Sequence, residues 1–280
     1  MKYVSFDHDG EQHHGYLDGA EIVVLGRGYL DLAAGAPGGR PIGHVAVADV
    51  RLRAPLARPG KIIGVAANYQ EHVREGGAEE RVKAFSTPRL FLKPDTTLAG
   101  PGDPVPLPDI TASLDWEAEL GVVIGTEARD VSESDALAHV FGYVTSNDIS
   151  ARSFDFGVER DGQQWTVFFD WLAGKWLDAS APIGPWLVTS DEVPDPQDLD
   201  LTLEVNGVIR QHSSTAAMIF SVAELVSFTS RLMTLRPGDL LLTGTPAGVG
   251  AATGDFLAAG DVMVAEVAGL GPLRTPVIAG

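Results

Sequence analysis

Hydrophobic and polar residues alternate over many short segments of the chain, which is the pattern of half-buried β-strands. Short apolar runs bounded by glycine or proline predict further strands that are buried on both faces. The clearest turn is Asn206-Gly207, which separates two alternating segments as a β-hairpin turn does. The main segments that predict strands are Tyr3–Phe6, Glu21–Leu25, Lys61–Ala66, Arg89–Lys93, Trp116–Ile124, Gly142–Ser146, Leu201–Val205 and Leu240–Thr243.

Helical patterns are fewer than strand patterns. Ser132 predicts the start of one helix, and Ser221 with Glu224 forms a capping-box pattern that opens another. Residues 69–85 predict a polar helix, broken by two glycines at 76–77, that could serve as a lid. We therefore expect an α+β, β-rich fold.

A domain boundary is predicted at residues 52–60, where two prolines and a glycine interrupt the apolar runs. We predict a small N-terminal α+β domain over residues 1–58 and a larger main domain over residues 59–280. A chain of 280 residues is long enough for one large domain with an appendage or for two modest domains, and can bury a sizeable core.

Composition narrows the possible functions. The chain contains no cysteine, which excludes disulfides and thiolate ligands and leaves oxygen and imidazole to bind a hard cation. Its net charge of −18 argues against nucleic-acid or membrane-surface partners and requires a local cation for any anionic substrate. The apolar runs are too short to span a bilayer and no signal-peptide pattern opens the chain, so we expect a cytoplasmic protein.

Three carboxylates are candidate metal ligands. Glu117 and Glu119 are two residues apart at the start of a predicted strand, so both side chains project from one face. Asp148 ends another strand and meets the pair if the two strands are neighbours. Such a set suits Mg²⁺ or Mn²⁺, with Ca²⁺ as a further option. The alternatives are a solvated strand edge for the glutamates and a turn for Asp148.

Other polar residues carry less specific signals. His72 and Glu75 are three residues apart on a predicted helix, where a carboxylate steadies histidine as a general base; the alternative is a surface pair. Lys93 and Lys175 adjoin apolar residues, and their alternative role is snorkelling. The loop at residues 243–250 can aim backbone N–H groups at a carboxylate, but its spacing is not that of a dinucleotide-binding motif.

Together these segments resemble the fumarylacetoacetate hydrolase family, in the same order along the chain from about Lys61 to Gly250. The segments that carry the resemblance are Gly64–Tyr69 with His72 and Glu75, Phe91–Pro94, Asp115–Leu120, Asn147–Arg152, Gly174–Asp178 and Thr243–Gly250. The chain departs from the family pattern after Arg152, where Ser153-Phe154-Asp155 stands in place of the frequent Asp-Leu-Gln.

The resemblance implies a mixed β-roll as the catalytic main domain, a homodimer, and Mg²⁺ or Mn²⁺ held by Glu117, Glu119 and Asp148. It also implies catalytic roles for His72, Glu75 and Lys175: the first two activate water, and the lysine holds the substrate and its developing charge. We further predict substrate contacts from Lys93, Arg152, Gln164 and Thr245.

Family activities include hydrolysis of a C–C bond in acylpyruvates, decarboxylation of oxaloacetate-like acids and isomerisation of dienedioates, all through an enolate that the metal stabilises. The His72–Glu75 pair favours a hydrolase acting on a small 2,4-diketo acid such as an acylpyruvate or a fumarylacetoacetate-like acid. A decarboxylase or a 2-hydroxyhepta-2,4-diene-1,7-dioate-type isomerase is the alternative. A catalytically silent binding protein with structural Ca²⁺ is the alternative from another class.

An aromatic stretch precedes Lys175 and includes Trp165 and residues 168–171. We interpret these aromatic residues as core packing. The alternative is that they shape the end of the pocket that receives the distal part of the substrate.

Overall fold

Nineteen strands and five helices, joined by turns and short 3-10 segments, form the part of the chain that the computed structural model describes, residues 1–35 and 37–280. The strands before residue 100 are β1 (Lys2–His8), β2 (Glu11–Asp18), β3 (Glu21–Arg27), β4 (Gly43–Ala46), β5 (Arg51–Arg53), β6 (Ile62–Ala66), β7 (Arg89–Lys93) and β8 (Leu98–Ala99). The later strands are β9 (Val105–Leu107), β10 (Leu114–Asp115), β11 (Ala118–Ile124), β12 (Val140–Asn147), β13 (Ser150–Ala151), β14 (Ala181–Thr189), β15 (Asp200–Val205), β16 (Val208–Ser214), β17 (Leu240–Leu242), β18 (Val262–Val267) and β19 (Gly271–Ala279). The helices are α1 (Gln70–Glu75), α2 (Glu133–Ala136), α3 (Gln164–Ala173), α4 (Val222–Leu232) and α5 (Gly250–Thr253).

The strands form one large sheet, one sheet of five strands and one two-stranded ladder. The large sheet has twelve strands and the order β4-β3-β2-β1-β14-β12-β11-β17-β6-β7, with β5 beside β1 and β8 beside β14. The smaller sheet runs β16-β15-β18-β19-β9, and β10 pairs with β13. Most neighbours are antiparallel, but β6 with β17, β8 with β14 and β9 with β19 are parallel. The predicted α+β, β-rich architecture with a mixed sheet is confirmed.

Strand β11 lies at the centre of the packing and is buried along its whole length. Leu120, Val122 and Ile124 pack in the core that contains the inner residues of β15 and β18, whereas Val123 packs in a second core on the opposite face. A strand buried on both faces must be apolar at successive positions, which explains the continuous hydrophobic run at its end.

The N-terminal strands continue the large sheet. β1 pairs with β14, with Tyr3 opposite Leu187, while Val4, Phe6 and Ile22 form a small core of their own. The division of the chain between residues 58 and 59 stays a prediction.

Local signals for turns and caps are confirmed. The hydroxyl of Ser221 accepts a hydrogen bond from the backbone N–H of Glu224, whose carboxylate accepts one from the N–H of Ser221 at 2.7 Å, so α4 opens with a full capping box. Ser132 caps α2. Asn206 and Gly207 join β15 to β16 with positive φ at both positions, as the predicted hairpin requires.

Of the predicted helix over residues 69–85, only Gln70–Glu75 is α-helical, so the predicted break at Gly76-Gly77 is confirmed and the α-helix predicted beyond it is wrong. The chain leaves the helix at Gly76, and Gly77 has a φ of +74°. Arg81 then holds the following segment by donating to the carbonyls of Ala67 and Thr87. Helix α3 was not predicted as a helix. Among residues 1–35 and 37–280, no helix combines the length and the apolar character needed to cross a membrane.

Candidate metal centre and its cavity

Three carboxylates converge where β11 begins and β12 ends. β11 and β12 are antiparallel with Ala118 opposite Asn147, so Glu117 and Asp148 flank the same pair of residues. One oxygen from each of Glu117, Glu119 and Asp148 lies within 4.8 Å of the others. Only 5% of Glu117, 1% of Glu119 and none of Asp148 is exposed. The alternative of a solvated strand edge for the two glutamates is therefore wrong, while Asp148 lies buried in the connection between β12 and β13.

The loop after β17 supplies backbone donors to this region, as its glycines indicated. The N–H of Gly244 donates to Glu119 Oε2 at 2.7 Å. Gly244 has a φ of +96°, and a Cβ there would lie 2.7 Å from the Cβ of Asn68, so only glycine allows this approach. The loop thus fixes one carboxylate of the cluster through a backbone hydrogen bond.

Two buried lysines contact the carboxylate cluster. Lys93 Nζ lies 2.5 Å from Asp148 Oδ1, and Lys175 Nζ donates to Glu117 Oε2 at 2.7 Å and to Asp148 Oδ2 at 2.9 Å. Burial lowers the pKa of Lys93. For Lys175, burial acts in the same direction but Asp148 and Glu117 outweigh it, so its pKa is raised. Snorkelling is wrong for both residues, since each ammonium group points into the protein.

Arg152 forms the third cationic contact. Its Nε donates to Asp115 Oδ2 at 2.8 Å, and its Nη2 lies 2.7 Å from Glu117 Oε1. Asp115 is fully buried and also accepts hydrogen bonds from the N–H groups of Gly250 and Ala251. Sequence reasoning did not assign Asp115 to the site, although the residue opens one of the segments that carry the family resemblance.

The charges of this buried region do not balance among the residues themselves. Four carboxyl groups (Asp115, Glu117, Glu119 and Asp148) adjoin three cationic side chains (Lys93, Arg152 and Lys175), so one negative charge would be uncompensated if all four were ionised. Lys175 and Arg152 overcome the effect of burial and lower the pKa of Glu117 to about 2. Burial, with Asp148 and Glu117 nearby, raises the pKa of Glu119 well above its ordinary value. A buried set of three carboxylates with surplus negative charge fits a hard divalent cation.

His72 and Glu75 lie beside this cluster at the end of α1. His72 Nδ1 is 2.7 Å from Glu75 Oε1, and the N–H of Gly248 donates to Glu75 Oε2 at 2.8 Å. Their side chains are 19% and 16% exposed, so the pair is not a solvated surface pair. When Nδ1–H donates to Glu75, the other ring nitrogen of His72 is left as a proton acceptor.

A cavity of about 970 Å³ opens onto the cluster. The predicted site residues that line it are His72, Lys93, Glu117, Arg152, Lys175 and Thr245. Glu75, Glu119 and Asp148 lie behind this wall. Glu75 contacts the lining residue His72, and Asp148 contacts the lining residue Lys175. Glu119 adjoins the lining residue Glu117 within the carboxylate cluster. Among the described residues, Gln164 does not line the cavity, and it lies exposed at the first position of α3.

Thr245 is held on both sides. Its hydroxyl donates to the carbonyl of Ala118 at 3.0 Å and accepts from Gln211 Nε2 at 2.8 Å. Gln211 is buried, and its carbonyl accepts from the N–H of Ala118 at 2.9 Å. Sequence reasoning missed Gln211, whose position on β16 carries no motif.

Aromatic rings form the outer wall of the cavity. The ring of Phe91 meets that of Trp171 edge-on, with the ring centroids 5.3 Å apart. The ring of Phe168 stacks on that of Trp171, with the centroids 5.9 Å apart. Every residue of α3 is at least partly exposed, and Phe168 is 48% exposed. The interpretation of these aromatic residues as core packing is therefore wrong. Phe168 and Trp171 are three residues apart on a helix, which places both on the face that lines the cavity.

Comparison with known proteins finds family matches for two ranges of residues and relatives that are similar over nearly the whole chain. Residues 61–278 match the family described as "Fumarylacetoacetate (FAA) hydrolase C-terminal", and residues 1–55 match "Rv2993c-like, N-terminal". The chain is 40% identical to a 2,4-didehydro-3-deoxy-L-rhamnonate hydrolase of Sphingomonas sp. over 99% of this chain and 96% of that one.

Several solved structures match over the full length of this chain. A 2-hydroxyhepta-2,4-diene-1,7-dioate isomerase from Mycobacterium marinum is 33% identical, with a TM-score of 0.80 and 98% of its chain covered. A maleylpyruvate hydrolase from Sphingobium sp. SYK-6, in complex with manganese(II) ion and pyruvate, is 28% identical with a TM-score of 0.76 and its whole chain covered.

Proposed function

Because the chain belongs to the fumarylacetoacetate hydrolase family, we propose that it is a divalent-metal-dependent hydrolase that cleaves a C–C bond in a small 2,4-diketo acid. The observation that carries this proposal is the His72–Glu75 pair, which adjoins the three-carboxylate cluster within one cavity. The name of the Sphingomonas relative denotes a hydrolase acting on an acid with carbonyl groups at C2 and C4, which supports the same substrate class.

Glu117, Glu119 and Asp148 would hold Mg²⁺ or Mn²⁺. When bound, the ion supplies a Lewis acid at the 2-oxo acid end of the substrate. The manganese and pyruvate in the maleylpyruvate hydrolase structure support this assignment. Lys175, which contacts Glu117 and Asp148 and lines the cavity, stabilises negative charge that develops on the substrate.

The His72–Glu75 pair activates water in this mechanism. Glu75 accepts the Nδ1–H hydrogen bond of His72, so the opposite ring nitrogen takes a proton from water. The hydroxide adds to the C4 carbonyl, and the C3–C4 bond then breaks. Its electron pair leaves with C3 as the enolate of pyruvate, which takes up a proton at C3. The products are one carboxylic acid and pyruvate.

The alternatives use the same residues differently. Decarboxylation of an oxaloacetate-like acid needs no activated water, so it gives the His72–Glu75 pair no role. Isomerisation needs a base that moves a proton, and the Mycobacterium marinum isomerase is the similarity that favours this second candidate. The three reactions are therefore separated by whether water enters the product and whether His72 is needed.

The test is an assay of purified protein with acetylpyruvate, oxaloacetate and a 2-hydroxydienedioate, with Mg²⁺, Mn²⁺, Ca²⁺ or a chelator. We expect Mg²⁺- or Mn²⁺-dependent cleavage of acetylpyruvate to acetate and pyruvate, and a loss of about 10²- to 10⁴-fold in kcat for His72→Asn. His212→Asn, which changes an exposed histidine on β16, is the matched control. Oxaloacetate decarboxylation that survives His72→Asn, without acetylpyruvate cleavage, would contradict the proposal. Stabilisation by Ca²⁺ without turnover of any acid would identify a silent binding protein.

We also propose the homodimer that the family resemblance implied. Its mass in solution, measured by light scattering with and without Mg²⁺, tests this directly. A monomer at micromolar concentration would contradict it.

A further inference from the structure

Gln211 is a buried polar side chain on a strand that is otherwise largely exposed. β16 forms one edge of the smaller sheet, and the neighbours Arg210 and His212 are exposed, whereas only 1% of Gln211 is exposed. Ile209 of the same strand is 58% exposed, so β16 buries a polar residue and exposes an apolar one. Burying a primary amide costs free energy unless its donors and its acceptor are hydrogen-bonded. A glutamine in this position therefore needs partners of its own.

The partners of Gln211 lie beside the carboxylate cluster. Its Oε1 accepts from the N–H of Ala118 at 2.9 Å. Its Nε2 donates to Thr245 Oγ1 at 2.8 Å and to the carbonyl of Pro246 at 2.9 Å. These contacts use both N–H groups and the carbonyl of the amide. The side chain thus connects β16 of the smaller sheet to β11 of the large sheet and to the loop after β17.

Ala118 lies where β11 has a strand neighbour on one edge only. β17 pairs with β11 over Gly121–Val123 and ends before Ala118 is reached. The carbonyl of Glu117 accepts from the N–H of Asp148 on the β12 side, and successive residues of a strand turn their backbone groups to opposite edges. The N–H and the carbonyl of Ala118 therefore face the unpaired edge, where Gln211 and the hydroxyl that it contacts take the place of a strand.

Gln211 also fixes the direction of the hydrogen bonds of Thr245. The Oε1 of Gln211 faces an N–H group and its Nε2 faces a carbonyl, which allows only one orientation of the amide. Thr245 must therefore accept from Gln211, and it donates its own proton to the carbonyl of Ala118 at 3.0 Å. A hydroxyl has one proton and two acceptor sites, so one acceptor site of Thr245 is left for a ligand in the cavity that it lines.

We propose that Gln211 is a positioning residue of the metal centre. Through the peptide of Ala118 it holds Glu117 and Glu119, the residues on either side, in place for a divalent ion. Through Thr245 it supports the same peptide from its carbonyl side. This inference rests on the metal assignment within the proposed function. Groups that hold metal ligands in place typically change metal affinity by about 10- to 100-fold when they are removed.

The test is calorimetric titration with Mg²⁺ and with Mn²⁺ in the absence of substrate, at a temperature where every variant is folded. We expect Gln211→Met, which keeps the length of the side chain but removes the amide, to weaken binding by about 10- to 100-fold. Gln197→Met is the matched control, because Gln197 also joins two backbone groups, the N–H of Val222 at 2.6 Å and the carbonyl of Thr215 at 2.9 Å, which are not part of the carboxylate cluster. Equal Mg²⁺ affinity in the two variants overturns the proposal.

Variants of Thr245 test the same connection from its other side, including the case in which Gln211→Met does not fold. Thr245→Val keeps the shape but loses the bonds to Ala118 and Gln211, so we expect weaker Mg²⁺ binding, and Thr245→Ser, which keeps both bonds, is expected to restore it. In the double variant with Gln211→Met, the loss should be smaller than the product of the two single losses, because both changes act on one peptide. Native Mg²⁺ affinity in Thr245→Val, or a double loss equal to that product, overturns the proposal.

Turnover separates this inference from the proposed function. If Gln211→Met weakens Mg²⁺ binding but the native protein hydrolyses no keto acid, the proposed function fails and the role of Gln211 stands. If acetylpyruvate is cleaved but Gln211→Met and Gln197→Met bind Mg²⁺ equally, the role of Gln211 is wrong and the proposed function stands. A native protein that binds neither Mg²⁺ nor Mn²⁺ contradicts both.

Discussion

Asp115 joins two parts of the site, so replacing it with Asn is expected to weaken both the fold and substrate binding. The carboxylate is fully buried and accepts from Arg152 Nε at 2.8 Å and from the backbone N–H groups of Trp116, Gly250 and Ala251. Asn keeps the volume but turns an NH₂ group toward one set of these donors. It also removes the charge that pairs with Arg152.

The expected loss in the free energy of unfolding follows from the charge of Arg152, which loses its partner when Asp115 is replaced. Breaking one side of a buried ion pair costs about 3 to 5 kcal/mol, because the remaining charge stays buried without compensation. Arg152 keeps its contact with Glu117, which places the expected loss at the lower end, about 3 kcal/mol. At about 2 to 4 °C per kcal/mol for a large domain, the melting temperature falls by about 6 to 12 °C.

The assay is thermal and urea unfolding beside steady-state kinetics. Asp109→Asn changes an exposed aspartate of the same region and serves as the control. Asp115 acts on substrate through Arg152, so we expect a higher KM with a smaller change in kcat. In a double-mutant cycle with Arg152→Met, we expect a coupling free energy of at least about 1 kcal/mol. A loss of stability equal to that of Asp109→Asn, or strict additivity with Arg152→Met, would refute the reasoning.

Two further predictions concern the cluster and the aromatic wall. The folded pKa of Glu119 lies above its unfolded value of 4.5, so in the metal-free protein its contribution to stability is present in acid and is lost as the pH rises through the folded pKa. Mg²⁺ binding should then release a proton and strengthen with pH, which calorimetry in buffers of different ionisation enthalpy measures; binding without proton release would contradict this. Gly64→Ala would place a Cβ 2.1 Å from the ring of Phe91, so we expect a loss of about 1 to 3 kcal/mol and a raised KM, relative to Gly43→Ala, whose Cβ meets open space. If Gly64→Ala left both the free energy of unfolding and the KM unchanged, the prediction would be wrong, because the ring of Phe91 would then move aside at no cost.

Features that depend on neighbouring residues in the chain were predictable. The spacing of Glu117 and Glu119 predicts a shared face, the capping box at Ser221 is a local pattern, and the apolar run of β11 follows from burial on both faces. The order of the strands was not predictable in this way. β17 inserts between β11 and β6, and nothing in the alternation of any of these strands specifies its neighbours.

Contacts between distant residues explain the errors. The polar pattern of residues 69–85 continues a helix on local grounds, but Arg81 gains two hydrogen bonds to backbone carbonyls only if the chain turns away after Glu75. Gln211 is unremarkable in sequence and becomes part of the site only because β16 brings it against Ala118 and Thr245. Local helix and strand propensities do not reveal such partners, since the partners lie far away along the chain.

The misassigned aromatic residues are informative about function. A buried aromatic core and an aromatic cavity wall require the same residue types, so composition alone cannot separate them. The distinction lies in α3, where Phe168 and Trp171 share a face and every residue is at least partly exposed, and in β7, where Phe91 stands between two cationic residues. Apolar area that stays exposed beside a charged floor is retained for a ligand rather than for stability. The carboxylate cluster and the aromatic wall are thus two chemically different parts of one cavity.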